Sequence, residues 1–537
     1  MRNYLLFLGI LAVLLVYFMG GDAIAIPYFI SRTFLRMIAA YAISLVFSIS
    51  LGIFIAHHRK AYTILFPILD ILQSIPILAF LPFAVIFLIE GAPILGDELA
   101  TVFLIFTSMT WAILFNVIEG VKVIPNTIKD VAHLSNLRGL RYLFHVLLPG
   151  IYPQVVSGSM TAWGGGWYFL VVGEYMIFGD HVYSLPGVGS FIAQSAYSGN
   201  LVYSLLGIGI LAALVLGINR FVWQPLLMRT YKYRYDQYGD EIMGKEKGMV
   251  LFLDKKYDSV KFFLMDRFQG IGETVLKALS VDPSREKGKA SEPIVYTVVL
   301  FLLVIIPLLL LLFYFKTDLV DGWTLLYYSG RTLSRMIIAY TIALVWTLGV
   351  AIWIGRNRKL LKMFMPIFDV GQSIPAVAVF PIIVVVVIHF FGGGIGIEIA
   401  SILLLLTGMQ WYLLFNLIRG MQTIPADILE LSSIFKLNNL KRIKHIVLPA
   451  LLPAIAAGSI EAFGGGLNAT IVSERIIYDN QLYYTDGLGN LLQVAASVEP
   501  PDMVALFSCI FAMMIIVISI NKFVWRRILK IAEGYKF

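Results

Sequence analysis

The sequence predicts an all-α polytopic membrane protein built from two parallel six-helix repeats. Three observations predict it. Hydrophobic residues form 59% of the 537-residue chain and charged residues 14%, with a mean hydropathy of +0.84. Soluble domains carry about 25% charged residues, so this chain needs lipid as part of its solvent. Six apolar stretches recur in each half, near the roughly 20 residues needed to cross about 30 Å of hydrocarbon. They lie at 4–20, 33–56, 63–89, 99–118, 151–178 and 201–227, then at 294–315, 332–355, 364–391, 398–418, 451–477 and 503–525. Finally, the second set repeats the first in sequence.

The repeat is direct. SRTFLRMIAAY (31–41) aligns with GRTLSRMIIAY (330–340), LDILQSIPILAFLP (69–82) with FDVGQSIPAVAVFP (368–381), and MTWAILFNVIEG (109–120) with MQWYLLFNLIRG (409–420). Six spans is an even number, so both halves point the same way, related by an axis along the membrane normal. The expected units are a first repeat at 1–227, a cytoplasmic connector at 228–292 and a second repeat at 293–537. The opening MRNYLLFLGILAVLLVYFMGG has signal-peptide character. Its internal counterpart 294–315 cannot be a signal, which favours a retained span.

Orientation follows from Lys and Arg. Loops 90–98, 179–200, 392–399 and 479–502 hold none. The opposite side holds Arg59, Lys60, Lys122, Arg138 and Arg141, then Arg356, Arg358, Lys359, Lys441, Arg442 and Lys444. Positive residues stay in the cytoplasm, so these loops, the connector and both termini are placed there. Arg32, Lys316 and Arg331 lie outside against the rule. The net charge of +8 belongs to these loops and implies no nucleic-acid partner. Cys509 is the lone cysteine, so no disulfide within the chain can form. The histidines show no metal spacing. Within the connector, 257–280 is read equally as an amphipathic surface segment or a plain tether.

One cytoplasmic loop is duplicated. DVAHLSNLRGLRYLFHVLLP (130–149) and ELSSIFKLNNLKRIKHIVLP (430–449) each open on an acid, Asp130 or Glu430, and close on Leu-Pro at Pro149 or Pro449. Asp427 and Glu430 have capping-box spacing, with Thr127 and Asp130 in matching columns. A short helix is expected from about 127 and about 428, carrying Leu134 and Leu137 in one copy and Ile434, Phe435 and Leu437 in the other. Pro149 and Pro449 are expected to stop that segment.

These loops resemble the signature of binding-protein-dependent ABC importer permeases. TFLRMIAAY, QSIPILAFLP and GGGWYFLVVGEYM are similar to the nitrate/sulfonate/taurine branch, and the fused duplication is similar to duplicated permeases of anion systems. The resemblance covers nearly the whole chain twice. It implies a type I importer-like fold in the cell membrane, two cytoplasmic ATP-binding subunits carrying ATP and Mg, and an external solute-binding protein. It also implies that the loops are coupling helices docking on those subunits. Where the family's loop has glycine, this chain has Asn136 and Lys436.

The chain offers no motor of its own. Gly239 to Lys245 has P-loop spacing, but Glu246 replaces the magnesium-binding Ser/Thr and no apolar strand precedes it. The chain is therefore read as a transport subunit rather than an enzyme, with no cofactor of its own. Gly164, Gly165, Gly166 and Gly464, Gly465, Gly466 are read as close helix packing at the axis between halves. With Asn468, and with Trp163 and Trp167 nearby, they also mark a candidate pathway for a small oxoanion such as nitrate, sulfonate or bicarbonate. Gln73, Ser74, Gln372 and Ser373, each before Ile-Pro, mark a break in the third span, where Gln or Ser would satisfy the carbonyl freed by proline. Glu174 and Glu474 are candidate gate or mouth residues, with Glu474 available to hold Arg475 or contact the delivering protein. Asn116 and Asn416 are expected to bond between helices. Rivals are an ion-coupled secondary transporter and an ABC permease for a non-anionic solute.

The orientation is tested with single cysteines in a Cys509→Ala background. Pro93→Cys, Leu185→Cys and Tyr484→Cys should react with an impermeant thiol reagent from outside; Leu137→Cys, Lys245→Cys and Leu437→Cys should not. Outside labelling at 137 and 437 would reverse the orientation.

Overall fold

The computed structural model describes residues 25–230 and 320–532, apart from 74–75, 81–83, 90, 93–94, 138, 179–180, 375, 426–427, 429–437, 479–480 and 499–500. The expected spans at 4–20 and 294–315, nearly all of the connector, and the P-loop-like stretch lie outside the described residues. So do Ser74, Glu430, Ile434, Phe435 and Leu437.

The first half runs α1 (Ile26–His57), α2 (Arg59–Leu72), α3 (Gly96–Val123), α4 (Asn126–Leu134), α5 (Leu148–Glu174), β1 (Tyr175–Phe178), β2 (His181–Ser184), α6 (Val188–Tyr197) and α7 (Leu201–Ile218). The second half repeats it: α8 (Gly322–Ile354), α9 (Arg358–Ser373), α10 (Ala376–Phe391), α11 (Gly393–Thr423), α12 (Leu448–Ser473), β3 (Arg475–Tyr478), β4 (Gln481–Tyr484), α13 (Leu488–Ser497) and α14 (Met503–Ile520). Seven helices among the described residues are long and apolar enough to cross a membrane.

Small residues set the packing inside each half. On α1 the buried stripe includes Ala40, Ser44, Ser48 and Gly52, one every four residues. Ser44 and Ser48 donate to the carbonyls of Phe106 and Thr110 on α3 at 3.3 and 3.1 Å. On α5 the close approach is at Gly158, where a Cβ would lie 2.8 Å from the Ala112 carbonyl oxygen and 3.1 Å from the Ile113 Cα. Gly458 approaches Tyr412 and Leu413 likewise, at 3.2 Å from the carbonyl and 3.3 Å from the Cα. Gly158, Ala162 and Gly166 form a small-xxx-small row, repeated at Gly458, Ala462 and Gly466, which lets two helix backbones meet.

The third span is broken in both halves. After α2 the chain resumes as a 3₁₀ turn (Ile77–Phe80) and a π turn (Ala84–Ile89). In the second half α9 ends at Ser373 and α10 starts at Ala376. Gln73, just past the end of α2, donates its amide to the Asp70 carboxylate at 2.8 Å, and Ser74, the other residue expected to satisfy a freed carbonyl, lies outside the described residues. These broken segments cross to the other half. Ile77, Ala84 and Val85 are buried with the second half's core, and Ala378 with the first half's core.

Three boundaries differ from expectation. The fifth spans end at Glu174 and Ser473, and the chain turns into antiparallel hairpins pairing Tyr175 with Ser184 and Arg475 with Tyr484. α6 and α13 follow where loops were expected. Pro149 and Pro449 do not stop the segment before them: a π turn (Leu143–Leu147, Ile443–Val447) leads straight into α5 and α12. The Leu148 N–H reaches back to the Leu143 carbonyl, and the wider turn moves the carbonyl that a proline ring would strike. The sixth span likewise passes through a π turn (Asn219–Trp223) before Pro225 and runs to Thr230, beyond the expected 227.

The packing predicts a contrast. Gly158→Leu should separate α3 from α5 and abolish monodisperse extraction in detergent. Gly164→Ala, where a Cβ meets nothing within 4 Å, should extract like the parent. Equal behaviour of the two would contradict this packing.

Candidate functional site

At one end of each half, one arginine and two carboxylates tie five elements together. Glu174 closes α5 and is fully buried. Its Oε1 accepts from Arg36 Nη1 at 2.8 Å and Thr33 Oγ1 at 2.7 Å; its Oε2 accepts from the Gly189 N–H at 2.7 Å. Arg36, itself buried, donates through Nε and Nη2 to Glu98 at 2.6 and 2.8 Å, and through Nη1 to the Pro186 carbonyl at 2.9 Å. Thr33 Oγ1 accepts from the Val188 N–H at 2.9 Å, and Arg32 also pairs with Glu98. Burying a carboxylate is tolerable only when it is paired and hydrogen-bonded, as this one is.

The second half reproduces the arrangement. Arg335 Nη1 and Thr332 Oγ1 bond Glu474 Oε1 at 2.8 and 2.7 Å, and the Gly489 N–H bonds Oε2 at 2.7 Å. Arg335 Nε donates to Glu398 at 2.6 Å, and Arg331 pairs with the same acid. Glycine is obligatory beside each carboxylate, because a Cβ at Gly187 or Gly487 would run into Glu174 or Glu474. Arg32 and Arg331, exceptions to the positive-inside rule, are thus answered by Glu98 and Glu398. The expectation that Glu474 holds Arg475 is corrected: its partner is Arg335, and Arg475 reaches Asn490 at 3.5 Å. Burial draws the Arg475 guanidinium below its ordinary value. Neither Glu174 nor Glu474 stands free at the mouth. Sequence reasoning had Thr33, Arg36, Thr332 and Arg335 inside the matched repeats but gave them no role.

Each fifth helix meets the other half's broken third span, and these contacts form a seam between the halves. Asn468 on α12 accepts from the Ile77 N–H of the first half at 2.6 Å. Its counterpart Tyr168 on α5 packs against Phe380, Val384 and Leu404 of the second half. The glycine triplets lie one turn below on the same faces, and they differ from expectation. A Cβ at Gly164, Gly165 or Gly464 meets nothing within 4 Å; Gly466 and Gly166 abut Met409 and Met109 of their own halves. A Cβ at Gly465 would lie 2.5 Å from the Gly408 carbonyl oxygen and 2.7 Å from the Tyr412 ring, again in its own half. Gly164, Gly165 and Gly464 border open space, while Gly166, Gly465 and Gly466 pack within their own halves instead of across the axis. Asn116 bonds only its own helix at Ala112, 2.8 Å away, whereas Asn416 also reaches Glu461 on α12 at 2.9 Å. Trp163 and Trp167 are buried within the first half's core. Gln372 is exposed at the end of α9, and Ser373 is the last residue of that helix.

At the opposite end of the bundle α4 forms as the loop spacing predicted. The N–H groups of Ile128 and Lys129 bond the Pro125 carbonyl at 3.1 and 3.3 Å. Asn136 follows with φ 53°, a left-handed conformation that Asn tolerates nearly as well as glycine. The Leu137 N–H returns to the Ala132 carbonyl at 3.0 Å. Val131 and Leu134 are left 61% and 85% exposed, two large apolar side chains outside the bundle. Asp130 is exposed and Leu137 half-buried. Burial pushes the Lys129 ammonium below its ordinary range.

A duplicated bundle of membrane-crossing helices, with a short helix exposed at one end, defines a polytopic transport permease. The chain belongs to the family of binding-protein-dependent transport system inner membrane components, which it matches twice, over residues 48–232 and 346–530. It is 30% identical over 190 residues to the bicarbonate transport system permease protein CmpB of Synechococcus elongatus, covering 35% of this chain and 63% of that protein. It is 30% identical over 208 residues to the nitrate import permease protein NrtB of Synechocystis, covering 38% and 69%. With the taurine transport system permease protein TauC of Escherichia coli it shares 27% over 161 residues, covering 30% and 54%.

The outer clamp predicts an asymmetric cost. Arg36→Ala leaves Glu174 buried without its cation and should destabilise the first half by about 3–5 kcal/mol. Arg32→Ala removes an outlying, partly exposed partner and should cost about 1 kcal/mol or less. Arg36→Ala with Glu174→Ala should cost less than the sum of the singles. Thermal unfolding in detergent reads all four; equal losses for Arg32→Ala and Arg36→Ala would contradict the clamp.

Proposed function

We propose that this chain is the membrane-spanning subunit of an ATP-driven importer, moving a small solute delivered by an external binding protein. Two separate ATP-binding subunits, which carry ATP and Mg, dock on the two cytoplasmic loops. Both termini lie in the cytoplasm. Its relatives named for bicarbonate, nitrate and taurine support a small anion or zwitterion as the solute. The solute crosses at the seam between the fifth helices, where glycines border open space.

The observation that carries this reading is α4. A helix of nine residues exposes Val131 and Leu134 beside the cytoplasmic ends of the bundle. Such a tip suits a cleft on a soluble partner, because interface energy concentrates in a few buried apolar anchors. Asn136 preserves the left-handed exit where the related loops carry glycine, so the departure in residue type keeps the loop's shape. ATP binding then favours one arrangement of the halves through these loops, since a ligand shifts an equilibrium only by its differential affinity.

Leu134→Asp should weaken association with the ATP-binding subunit by about 2 kcal/mol or more, roughly thirtyfold. Co-purification from membranes, with uptake on the same preparation, checks it. Full association and full uptake in Leu134→Asp would remove the docking role of this helix.

A further inference from the structure

The two halves are not equivalent at the seam, and the difference is chemical. Glu461 lies seven residues before Asn468 on α12, two helical turns away, and so on nearly the same face. Asn468 bonds the Ile77 N–H of the first half, which fixes that face toward the seam. Glu461 is exposed although it sits in the interior of a membrane-crossing helix. A carboxylate facing hydrocarbon there would be costly, whereas one facing an aqueous seam is not. Its Oε2 accepts from Asn416 at 2.9 Å, and no protein donor among the described residues meets its Oε1. Tyr412, 39% exposed, stands beside it against Gly465. The Tyr168 hydroxyl on the opposite half is buried and has no partner among the described residues. The space between is open at Gly164, Gly165 and Gly464. In the first half the matching positions are Thr161 and Ala112, so the acid occurs once.

We propose that Glu461, with Asn416 and the hydroxyls of Tyr412 and Tyr168, forms a solute-contact site that takes a small solute bearing a proton donor. A hydroxyl or ammonium beside an anionic group fits; a bare oxoanion such as nitrate does not. Glu461 Oε1 is an acceptor that requires a donor opposite it, and nitrate offers none. The nearby Arg419 does not neutralise the acceptor by contact, since its Nε bonds its own helix at Phe415, 3.3 Å away. This proposal rests on the seam being the solute path.

The test uses the full chain in inside-out membrane vesicles, with Cys509→Ala and either Gly464→Cys or Gly164→Cys. The probes are a trimethylammonium and a sulfonate methanethiosulfonate of similar size. Both cysteines should react, and the cation-to-anion rate ratio at Gly464→Cys should fall roughly tenfold on adding Glu461→Gln. Glu461→Asp should keep the ratio high, which separates loss of charge from loss of fold. Taurine or bicarbonate should slow the labelling of Gly464→Cys, and nitrate should not. If both cysteines react but Glu461→Gln leaves the ratio unchanged, or if nitrate protects, or if none of the three protects, the site is wrong while the path stands. If neither cysteine reacts, the seam is no aqueous path and the proposal falls with it. Docking of the ATP-binding subunit is read independently in Leu134→Asp.

Discussion

The buried arginine–glutamate pair is the constraint from which the rest of each half follows. Arg36 with Glu174, and Arg335 with Glu474, put opposite charges where neither could remain alone. Each pair then gathers a second acid, a threonine and the backbone of the outer helix. The adjoining ends of the second, fourth and fifth spans, the hairpin and the following helix are held as one unit. Between the halves, among the described residues, the polar linkage includes the Asn468–Ile77 bond, of a kind worth about 1 kcal/mol net. Strong joints within halves and a light joint between them suit two bodies that move against each other about the seam.

The broken third span serves that division. A continuous helix would keep its backbone groups to itself. The break at Gln-Ser-Ile-Pro frees the Ile77 N–H to reach the other half, and it lets Ile77, Ala84, Val85 and Ala378 enter the opposite core. Each half thus lends part of its third span to the partner's fifth helix, and the seam is lined by both. Duplication made the frame symmetric, but the lining has diverged: Tyr168 matches Asn468, Ala112 matches Tyr412, Thr161 matches Glu461, and Glu119 matches Arg419. A single path with unlike walls can bind an unlike-ended solute in one orientation.

Much of this was legible in the sequence. Seven of the spans, the direct repeat, the break at Ile-Pro and the short helix after Pro125 followed from hydropathy and spacing. Glu174 and Glu474 were visible as matched acids, but their partners were not, because Arg36 lies 138 residues away in sequence and no local pattern links them. The hairpins were readable and were passed over: Tyr-Met-Ile-Phe and His-Val-Tyr-Ser flank Gly179-Asp180, a strand–turn–strand composition. The glycine triplets drew attention that belonged to the four-residue spacing of Gly158, Ala162 and Gly166, since packing follows a helix face and not a run of neighbours. The second loop's Glu430, Ile434, Phe435 and Leu437 lie outside the described residues, so its docking role rests on the repeat.

ATP hydrolysis by the proposed ATP-binding subunits, reconstituted with this chain in nanodiscs, tests the central claim most directly, measured with and without solute-loaded binding protein. Loaded binding protein should stimulate turnover severalfold, and uptake in proteoliposomes should require ATP inside the compartment that the loops face. Solute accumulation driven by an ion gradient without ATP, with hydrolysis indifferent to the binding protein, would contradict the importer and point to a secondary transporter.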